Sequence, residues 1–455
     1  MNKRLVSILF SFPLLLQSFS FADLAEIRVE LPTKTERSSL YISQFDAKQA
    51  AFSSQYLARL YSVLSFDLDH SGYAKVSSPN SKWEKELSVG NLQEAFRLEK
   101  WGKAGQCYVL KVAVKKEKLD LYALSVATGS VMQFEGIPLS GDHKIDRHQI
   151  HKLSDALVKS LFGGKGIATT RILYTLQQEN RDPSEKKWKS EIWECDWDGY
   201  APRQVTFEQG YSITPAFLPP DPAHGDDRFL YVNYKNGQPK IYYSTLGQRT
   251  GTPFLSLRGN QILPAICPKK DQMAFICDAA GRPDLFVQRL GPSGHPVGKP
   301  KQLFSYPRAT QASPSFSPDG SRIAFVSDKG GTPRIYVIPS NEPSHRRPIA
   351  TLLTKQCREN ICPVWSPDGT KLAYSAKTNG VRQIWIYDFA TKEEKQLTSG
   401  PGHKENPCWA PDSLHLVFNS TDPDASELYL INLHQAEAVK ITKGTGRKHY
   451  PTWGI

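Results

Sequence analysis

The chain has 455 residues, more than one ordinary hydrophobic core accommodates, so two or more domains are expected. A hydrophobic content of 39% is enough to fill globular cores and excludes a chain that is disordered throughout. The formal net charge of +12 favours acidic partners or surfaces. Lys and Arg are spread along the chain without a dense basic block, so nucleic-acid binding is the weaker interpretation.

Residues 1–22 have the pattern of a secretory signal peptide. Lys3 and Arg4 precede the apolar stretch 5–16, and the tripeptide that ends at Ala22 places small residues at positions −3 and −1 of a cleavage site. Cleavage after Ala22 would make Asp23 the first residue of the mature chain. The alternative is an uncleaved anchor helix, for which the apolar stretch is shorter than the roughly 20 residues of a membrane span.

Residues 23–165 contain no repeat and predict an α/β domain. The segment Asp23–Leu31 alternates as a strand does, and Asp46 is predicted to cap a helix that ends near Ser65. Three further strands and a second amphipathic helix are expected from hydrophobic periodicity, over residues 107–114, 119–125, 132–137 and 148–161.

Two short motifs in this region are interpreted without a ligand. Residues 67–72 imitate the start of a calcium loop, but the twelfth position is Ser78 where a bidentate glutamate would be needed. The glycine-rich segment 163–166 is interpreted as a flexible junction, because it lacks the spacing of a phosphate-binding loop. No metal and no cofactor is predicted.

Residues 166–455 repeat, and the repeat begins at a proline that we call the anchor proline. Ser-Pro-Asp-Gly turns follow two of the copies, at 317–320 and 366–369, and strand-like segments follow every copy except the last. A repeat of this length, with four short strands in each copy, predicts the blades of a β-propeller. The anchor prolines are Pro215, Pro264, Pro314, Pro363, Pro407 and Pro451.

The blade count follows from the two ends of the repeat. Residues 169–210 hold three predicted strands and lack a first one, and residues 451–454 can supply it. The predicted fold is therefore an α/β N-terminal domain followed by an all-β six-bladed β-propeller closed by the C-terminal strand, which hides both edges. Four aromatic residues of the repeat are interpreted as packing residues between blades: Phe316, Trp365, Trp409 and Trp453.

Seven cysteines are present, and an exported chain can form disulfides. The odd number leaves at least one thiol free or intermolecular. Cys357 with Cys362, and Cys267 with Cys277, are close enough along the chain to be considered, but the sequence establishes neither pair.

A partner-binding surface is expected where the loops between blades reach one mouth of the propeller channel. The residues just before each anchor proline are polar or aromatic, which suits specific protein binding, although they could also be solvated loop residues. The predicted residues are Tyr211, Ser212, Asn260, Gln261, Thr310, Gln311, Arg358, Glu359, Asn360, Lys404, Glu405, Asn406, Lys448, His449 and Tyr450.

The order of these parts resembles the TolB family, periplasmic proteins of the Tol-Pal system of Gram-negative bacteria. The resemblance rests on the repeat, on the segment 148–155 and on residues 161–171, which look like the family's domain junction. It is weaker at three turns, 218–221, 267–270 and 410–413.

The resemblance implies two partners and no catalysis. The lipoprotein Pal would bind the channel mouth, and the inner-membrane protein TolA would bind the start of the mature chain, in support of outer-membrane integrity and cell division. By position, that N-terminal segment consists of Asp23, Leu24, Ala25, Glu26, Ile27, Arg28, Val29, Glu30 and Leu31.

The alternative function is a propeller hydrolase or lyase in the periplasm. The sequence contains neither Gly-x-Ser-x-Gly nor His-Glu-x-x-His. Glu359, Glu405 and His449 could in principle form an acid/base set at the channel mouth. Nothing in the sequence favours that role over hydrogen bonding, so a binding protein is predicted. The chain is also expected to be a monomer.

Overall fold

The computed structural model describes residues 36–88, 92–180, 188–220, 225, 227–341, 349–422, 425–435 and 437–454. These residues all belong to one compact unit. The predicted signal peptide, the cleavage site at Ala22 and Asp23, and the segment Asp23–Leu31 lie outside them. Of the helices in the described part of the chain, none has the length and apolar character that a membrane span requires.

The first part of the structure is a mixed sheet with helices on both faces. Its elements are β1 Ser38–Ile42, β2 Asp46–Ala50, α1 Ser54–Asp69, β3 Ala74–Val76, α2 Ser81–Leu87, α3 Leu92–Ala95, α4 Leu98–Lys103, β4 Tyr108–Lys116, β5 Lys118–Ser125, β6 Val131–Pro138 and α5 His143–Phe162. The strand order is β3-β1-β4-β5-β6, and β2 also pairs with β4.

Neighbouring residues of one strand show how the two faces of this sheet are covered. Leu40 and Ile42 of β1 face a core that the apolar sides of α1 and α5 complete. Tyr41, between them, faces the opposite core, which contains Trp101 of α4. This two-residue alternation is the usual geometry of a strand that is buried on both faces.

The prediction for Asp46 is wrong. Asp46–Ala50 is strand β2, which lies parallel to β4, and α1 begins only at Ser54. The cap of α1 is Ser53, whose side chain accepts a hydrogen bond from the backbone N–H of Tyr56. Pairing with β4, about 65 residues further along the chain, decides the conformation of β2.

The predicted helix over 148–161 is confirmed, as part of the longer α5. Asp142 caps its N-terminus by accepting from two backbone N–H groups, and Gly163 ends it with a φ of 67°. The glycines that follow are tightly packed, which contradicts the prediction of a flexible junction. A Cβ on Gly164 would lie 2.5 Å from the Tyr73 ring, and one on Gly166 would lie 2.5 Å from the Cα of Asp155.

The second part of the structure consists of short antiparallel strands. They are β7 Arg171–Glu179, β8 Trp188–Asp196, β9 Arg203–Gln204, β10 Ser212–Phe217, β11 Arg228–Asn233, β12 Lys240–Thr245, β13 Thr252–Pro253, β14 Gln261–Ile266, β15 Gln272–Cys277, β16 Asp284–Arg289, β17 Lys301–Phe304, β18 Gln311–Phe316, β19 Arg322–Ser327, β20 Arg334–Pro339, β21 Thr351–Leu352, β22 Asn360–Trp365, β23 Lys371–Thr378, β24 Val381–Asp388, β25 Glu394–Gln396, β26 His403–Trp409, β27 His415–Thr421, β28 Ser426–Asn432, β29 Val439–Lys440 and β30 Arg447–Trp453.

These strands form a β-propeller. Four sheets have four strands each, in chain order, from β10 to β25. The remaining strands form two runs, β26 to β29 and β30-β7-β8-β9, which are joined where Ser426 pairs with Arg447. In the second run, the C-terminal strand β30 pairs antiparallel with β7.

The anchor prolines lie in the strands that begin each run, which we call the first strands: β10, β14, β18, β22, β26 and β30. Each first strand contacts the next one along the chain, and β30 also contacts β10. The four predicted packing aromatics, of which Trp365 is one, are all buried between neighbouring sheets.

The Ser-Pro-Asp-Gly turns adopt the predicted geometry. The N–H of Gly320 donates to the carbonyl of Ser317 at 2.8 Å, and Gly320 and Gly369 have φ values of 68° and 76°. In the turns 267–270 and 410–413, where the resemblance is weaker, the matching residue with a positive φ is not glycine but Lys270 or Ser413.

All seven cysteines lie in the described part of the chain, and no two of them are joined. The pairs considered from the sequence, Cys357 with Cys362 and Cys267 with Cys277, are therefore not disulfides in this structure.

The α/β domain contacts the propeller at the turns that join first to second strands and third to fourth strands. Trp197, after β8, donates to the carboxylate of Asp67 at 3.1 Å. His415, after the turn that follows β26, reaches the carbonyl of His70 at 2.7 Å. The first strands begin at the other end of their sheets, so the predicted mouth lies opposite the face that carries the α/β domain.

Candidate binding surface at the channel mouth

All six first strands contain a β-bulge at the anchor proline. In each of them the pairing register shifts so that two residues, the anchor proline and the residue before it, face a single residue of the second strand. The residue before the proline has a positive φ in every copy: Thr214 51°, Leu263 53°, Ser313 45°, Cys362 52°, Asn406 53° and Tyr450 52°. Because none of the six is glycine, the ring of bulges holds unfavourable backbone geometry that the fold must stabilise elsewhere.

The partner of each bulge supplies that stabilisation. The residue that faces the bulge from the strand paired with each first strand is aromatic and buried in all six cases: Tyr174, Tyr231, Phe275, Phe325, Tyr374 and Phe418. A large buried ring fixes the second strand against its neighbours, so the bulge has a rigid support.

Six of the predicted mouth residues are buried. The third residue before the anchor proline is at most 8% exposed in every copy, and this set consists of Ser212, Gln261, Gln311, Asn360, Lys404 and Lys448. The prediction that these six residues contact a partner does not fit their burial. The side chains instead hold the preceding loops, as when Lys448 donates to the Gly444 carbonyl at 2.7 Å and Asn360 donates to the Cys357 carbonyl at 2.7 Å.

The other nine predicted residues reach the surface in part or fully. Thr310, Arg358 and Tyr450 are exposed. The half-buried members are Tyr211, Asn260, Glu359, Glu405, Asn406 and His449. These nine are the predicted residues that a partner could contact without unfolding a loop.

Two of these nine, Asn406 and Tyr211, contact side chains of neighbouring runs of strands. The Sγ of Cys362 in β22 lies 3.1 Å from the side-chain oxygen of Asn406 in β26. Tyr211 accepts from the side-chain amide of Gln177 at 2.8 Å, and its ring lies edge-on to Tyr234 at 5.4 Å. These contacts link β22 to β26, and the residue before β10 to β7, at one end of the propeller.

Tyr450 lies where several sheets meet. Burial raises the pKa of Tyr450 to about 12, with further contributions from Cys362, Tyr211, Glu405 and Tyr234. These four groups lie in or beside β10, β11, β22 and β26, so the Tyr450 side chain is near residues of several runs of strands. The residue is nevertheless 37% exposed, which leaves part of an aromatic residue accessible to a partner.

The imidazole of His449 next to it is uncharged near neutral pH. Burial, followed by the charge of Arg447, lowers the pKa of His449 to about 4. Its Nδ1 lies 3.3 Å from the hydroxyl of Ser426.

The second residue before the anchor proline divides the ring into two arcs. It is apolar in β10, β14, β18 and β22, where it is Ile213, Ile262, Ala312 and Ile361. It is polar in β26 and β30, where it is Glu405 and His449. All six are half-buried. An apolar arc beside a polar, aromatic arc is the composition expected of a protein-binding surface.

Sequence reasoning missed the apolar arc and four of the residues with positive φ. They could have been found by aligning the copies on the anchor proline and noting the aromatic residue in the middle of every second strand. The number of residues between a position and the anchor proline then distinguishes the buried third residue before the proline from the half-buried second residue.

The three residues considered as an acid/base set have partners of their own. The carboxylate of Glu405 pairs with Arg382 at 3.1 Å, and that of Glu359 pairs with Lys377 at 3.1 Å. His449 lies beside the Ser426 hydroxyl, as described above. The geometry gives these groups hydrogen-bonding and charge-pairing roles.

Away from the mouth, His151, Asp196 and Asp198 lie near one another at the domain contact. Their ligand atoms come within 4.8 Å of one another, which is close enough to consider a metal ion. The guanidinium of Arg147 already pairs with Asp198 at 2.5 Å and lies 3.4 Å from His151 Nε2. Since a cation would have to share this space with Arg147, we do not assign these residues as ligands.

Comparisons with known proteins agree on one family. A family model described as TolB beta propeller domain matches residues 158–455. The Protein TolB homolog of Protochlamydia amoebophila (strain UWE25) is 45% identical over 382 residues, which cover 84% of this chain and 81% of that protein. The Protein TolB homolog of Chlamydia felis (strain Fe/C-56) is 40% identical over 321 residues, covering 70% and 73%.

A solved structure supports the same fold. The crystal structure of TolB from Acinetobacter baumannii superposes with a TM-score of 0.71 at 22% identity and covers 92% of this chain and 97% of that one. At that identity the likeness concerns the fold alone.

Proposed function

We propose, from the premise that this chain belongs to the TolB family, that it is a non-enzymatic, periplasmic protein-binding scaffold of the Tol-Pal system. In that role it would support outer-membrane integrity and cell division. The proposal rests on the family and on a ring of half-buried, partner-accessible side chains at one end of the propeller. The basic net charge of +12 favours partners with acidic surfaces.

The propeller in this proposal has six blades and is closed by the C-terminal strand. Two observations support that count. The first strands contact one another in succession from β10 to β30, and β30 contacts β10. In addition, β30 pairs with β7, which would otherwise begin its sheet as an open edge.

Pal is the proposed partner at the channel mouth. The observation that carries this proposal is the combination of an exposed aromatic, Tyr450, with an apolar arc and a polar arc on rigid strands. Aromatic residues at the centre of an otherwise polar surface are typical sites of high binding energy. The rigid bulges would keep this surface in place before the partner arrives, which lowers the entropic cost of binding.

TolA is the proposed partner of the segment Asp23–Leu31, which lies outside the described residues. The support here is the position of the segment at the start of the mature chain and its alternating apolar residues Ile27, Val29 and Leu31. An extended segment of this kind could add a strand to the sheet of a partner.

The mouth assignment can be tested by measuring binding of Pal from the same organism to residues 23–455 of the chain. Tyr450→Ala should weaken the affinity by tenfold or more, since a buried aromatic anchor typically contributes at least about 2 kcal/mol. The matched control is Val297→Ala, an exposed apolar residue in a turn between third and fourth strands, at the other end of the sheets. Equal affinities for the two variants, with equal melting temperatures, would place the Pal site elsewhere.

The TolA assignment needs a separate experiment. A chain that begins at residue 32 should lose TolA binding while it keeps its melting temperature and its affinity for Pal. If TolA binds this shortened chain as well as the longer one, the segment is not the TolA site.

A further inference from the structure

One buried histidine lies at the centre of the contact between the α/β domain and the turn that follows β26. The side chain of His415 is 2% exposed. Its Nε2 lies 2.7 Å from the backbone carbonyl oxygen of His70, at the end of α1. Its Nδ1 lies 2.5 Å from a carboxylate oxygen of Asp412. The ring therefore joins two parts of the molecule that are 345 residues apart in sequence.

Both neighbours of this ring are acceptors, and this decides how many protons the site holds. A backbone carbonyl can only accept, so Nε2 must carry hydrogen to bond with His70. The bond to Asp412 needs a second proton, on Nδ1 or on the carboxyl oxygen that faces it. The His415–Asp412 pair thus holds one proton more than a neutral imidazole beside a carboxylate.

The turn around Asp412 is built to keep that pair in place. The other carboxylate oxygen of Asp412 accepts from the backbone N–H groups of Leu414 and His415, at 2.9 and 3.0 Å. Burial acts to raise the pKa of Asp412, but the opposing effects of His415 and these N–H groups hold it below its usual range. The carboxylate is therefore a fixed acceptor.

The groups packed around His415 leave little room for water. Gly72 approaches so closely that a Cβ there would lie 2.6 Å from a methyl carbon of Leu414. The ring of Trp197, from the turn after β8, lies edge-on to His415 at 6.4 Å. Water could not easily replace a bond that this site loses.

The titratable and charged groups that face the contact come from each element around it. Asp412 is on the same turn, and Tyr73 follows on the loop after α1, with its pKa raised by burial and by Asp412. His434 donates from Nδ1 to the Gly72 carbonyl at 2.9 Å, and Lys165 donates to the Pro411 carbonyl at 3.2 Å. The ring of His70 is bonded to the carbonyl of Phe66 at 2.9 Å.

We propose that this contact is a proton-coupled latch, in which His415 joins the α/β domain to the propeller while the His415–Asp412 pair holds its extra proton and releases the His70 carbonyl when that proton is lost. Loss of the proton leaves one of two buried acceptors without a donor, which destabilises the closed contact. The closed state therefore binds one more proton than the open state. By linkage, the equilibrium for opening should rise by up to about tenfold per pH unit between the pH at which the open state loses this proton and the higher pH at which the closed state loses it, and should level off above that.

The latch does not depend on the partners proposed above. It concerns the end of the propeller opposite the mouth, and it requires only His415, Asp412 and the His70 carbonyl. Its consequence is that mildly acidic conditions tighten the connection between the domains and alkaline conditions loosen it.

Hydrogen exchange of residues 23–455 between pH 6 and 9 tests the latch. Protection factors, corrected for the intrinsic effect of pH on exchange, should fall with pH in peptides that cover 66–76 and 410–417, by up to about tenfold per pH unit. His415→Gln should remove this slope, because glutamine can donate to the His70 carbonyl at any pH. His295→Gln, an exposed histidine elsewhere in the propeller, should retain the slope. A flat profile in the parent chain, or an unchanged slope in His415→Gln, would overturn the proposal.

A second measurement covers the case in which His415→Gln does not fold. The ¹⁵N spectrum of the histidine rings in the parent chain should show both nitrogens of His415 bonded to hydrogen, or sharing one with Asp412, at pH 6. The conservative variant Asp412→Asn should shift this spectrum to a neutral ring. A neutral ring in the parent chain at pH 6, while both peptides remain protected, would refute the latch.

Discussion

The two ends of the propeller differ in the exposure of most of their ion pairs, although the Lys448–Glu427 pair at the mouth is buried. At the mouth, the ion pairs of Glu405 with Arg382 and of Glu359 with Lys377 are partly exposed. The first joins β26 to β24 of the neighbouring sheet, and the second joins the residue before β22 to β23 of the same sheet. At the end that carries the α/β domain, Asp67 and His151 are almost fully buried and pair at 2.8 Å.

The difference follows from what each end must do. A partly exposed ion pair contributes little stability and can exchange partners, which suits a surface that binds another protein. A buried carboxylate must keep every bond it has, because water cannot replace a lost one. Asp67 accepts from His151 and Ser154 of α5 and from Trp197 of the propeller, so it fixes the two parts against each other.

The largest expected difference in stability is between two variants that each lack one carboxylate, one at either end. Asp67→Ala should destabilise the chain by about 3 kcal/mol, since it leaves the buried donors of His151 and Trp197 without their acceptor, while Ser154 keeps the Ile150 carbonyl. Glu405→Ala should cost less than about 1 kcal/mol, because its ion pair is partly exposed. Chemical denaturation of both variants measures the difference, and similar losses would contradict the contrast between the two ends.

The glycine-rich junction 163–166, at the end that carries the α/β domain, is the next place to test. Gly166→Ala should destabilise the chain by about 2 kcal/mol, because its Cβ meets the backbone of Asp155 and cannot move away. Gly247→Ala is the matched control, since a Cβ there meets nothing within 4 Å. If Gly166→Ala melts like the control, the junction is as flexible as the sequence predicted.

The two ends should also respond to acid with opposite signs. The pKa of His449 at the mouth is about 4, below that of a free histidine, so its contribution to stability is lost as pH falls below about 6.5. Between pH 7.5 and 5.5 this loss should be about 1 kcal/mol, and His449→Gln should remove it.

At the end that carries the α/β domain, the pH dependence of stability has the opposite sign. Burial raises the pKa of Asp67. Burial opposes the charged form of His151, but Asp67 nevertheless raises its pKa above the usual value. The contribution of His151 is therefore present at acid pH and lost as pH rises through the raised pKa. Denaturation midpoints of His151→Gln and His449→Gln at both pH values should diverge, and parallel shifts would show that the ends do not differ.

The smallest expected effect concerns backbone strain at the mouth. Thr214 has a positive φ of 51°, which is unusual for a β-branched residue, and its hydroxyl is buried without a partner. Thr214→Asn should stabilise the chain by about 0.5 kcal/mol, because asparagine tolerates this region and already occupies the matching position at Asn406. Thr310→Asn, on the same face but without positive φ, serves as the control. A destabilised Thr214→Asn variant would show that the threonine side chain has a packing role there.

Much of the architecture could be predicted from the sequence because it repeats. The anchor prolines, the Ser-Pro-Asp-Gly turns and the alternating apolar residues are local signals, and each copy reinforces the others. The strand Asp46–Ala50 could not be predicted in this way. Its residues favour a helix, and only pairing with Tyr108–Lys116, much further along the chain, makes it a strand.

The sequence predicted which loops contain the mouth residues, but it did not predict which of their side chains are exposed. Lys404 and Tyr450 both lie just before an anchor proline, yet the first is buried and the second is exposed. The bulge decides which residues face outward, since an extra residue in one strand reverses the alternation beyond it.

The sequence by itself determined the repeat, the strand pattern and the position of the turns, because these depend on neighbours within about ten residues. Only the tertiary structure decided what the junction glycines and the buried charges do. Gly166 is rigid because Asp155 lies against it, and His415 needs its second proton because a carbonyl from the other domain faces it. Such roles depend on which groups meet in space, and no local pattern along the chain records that.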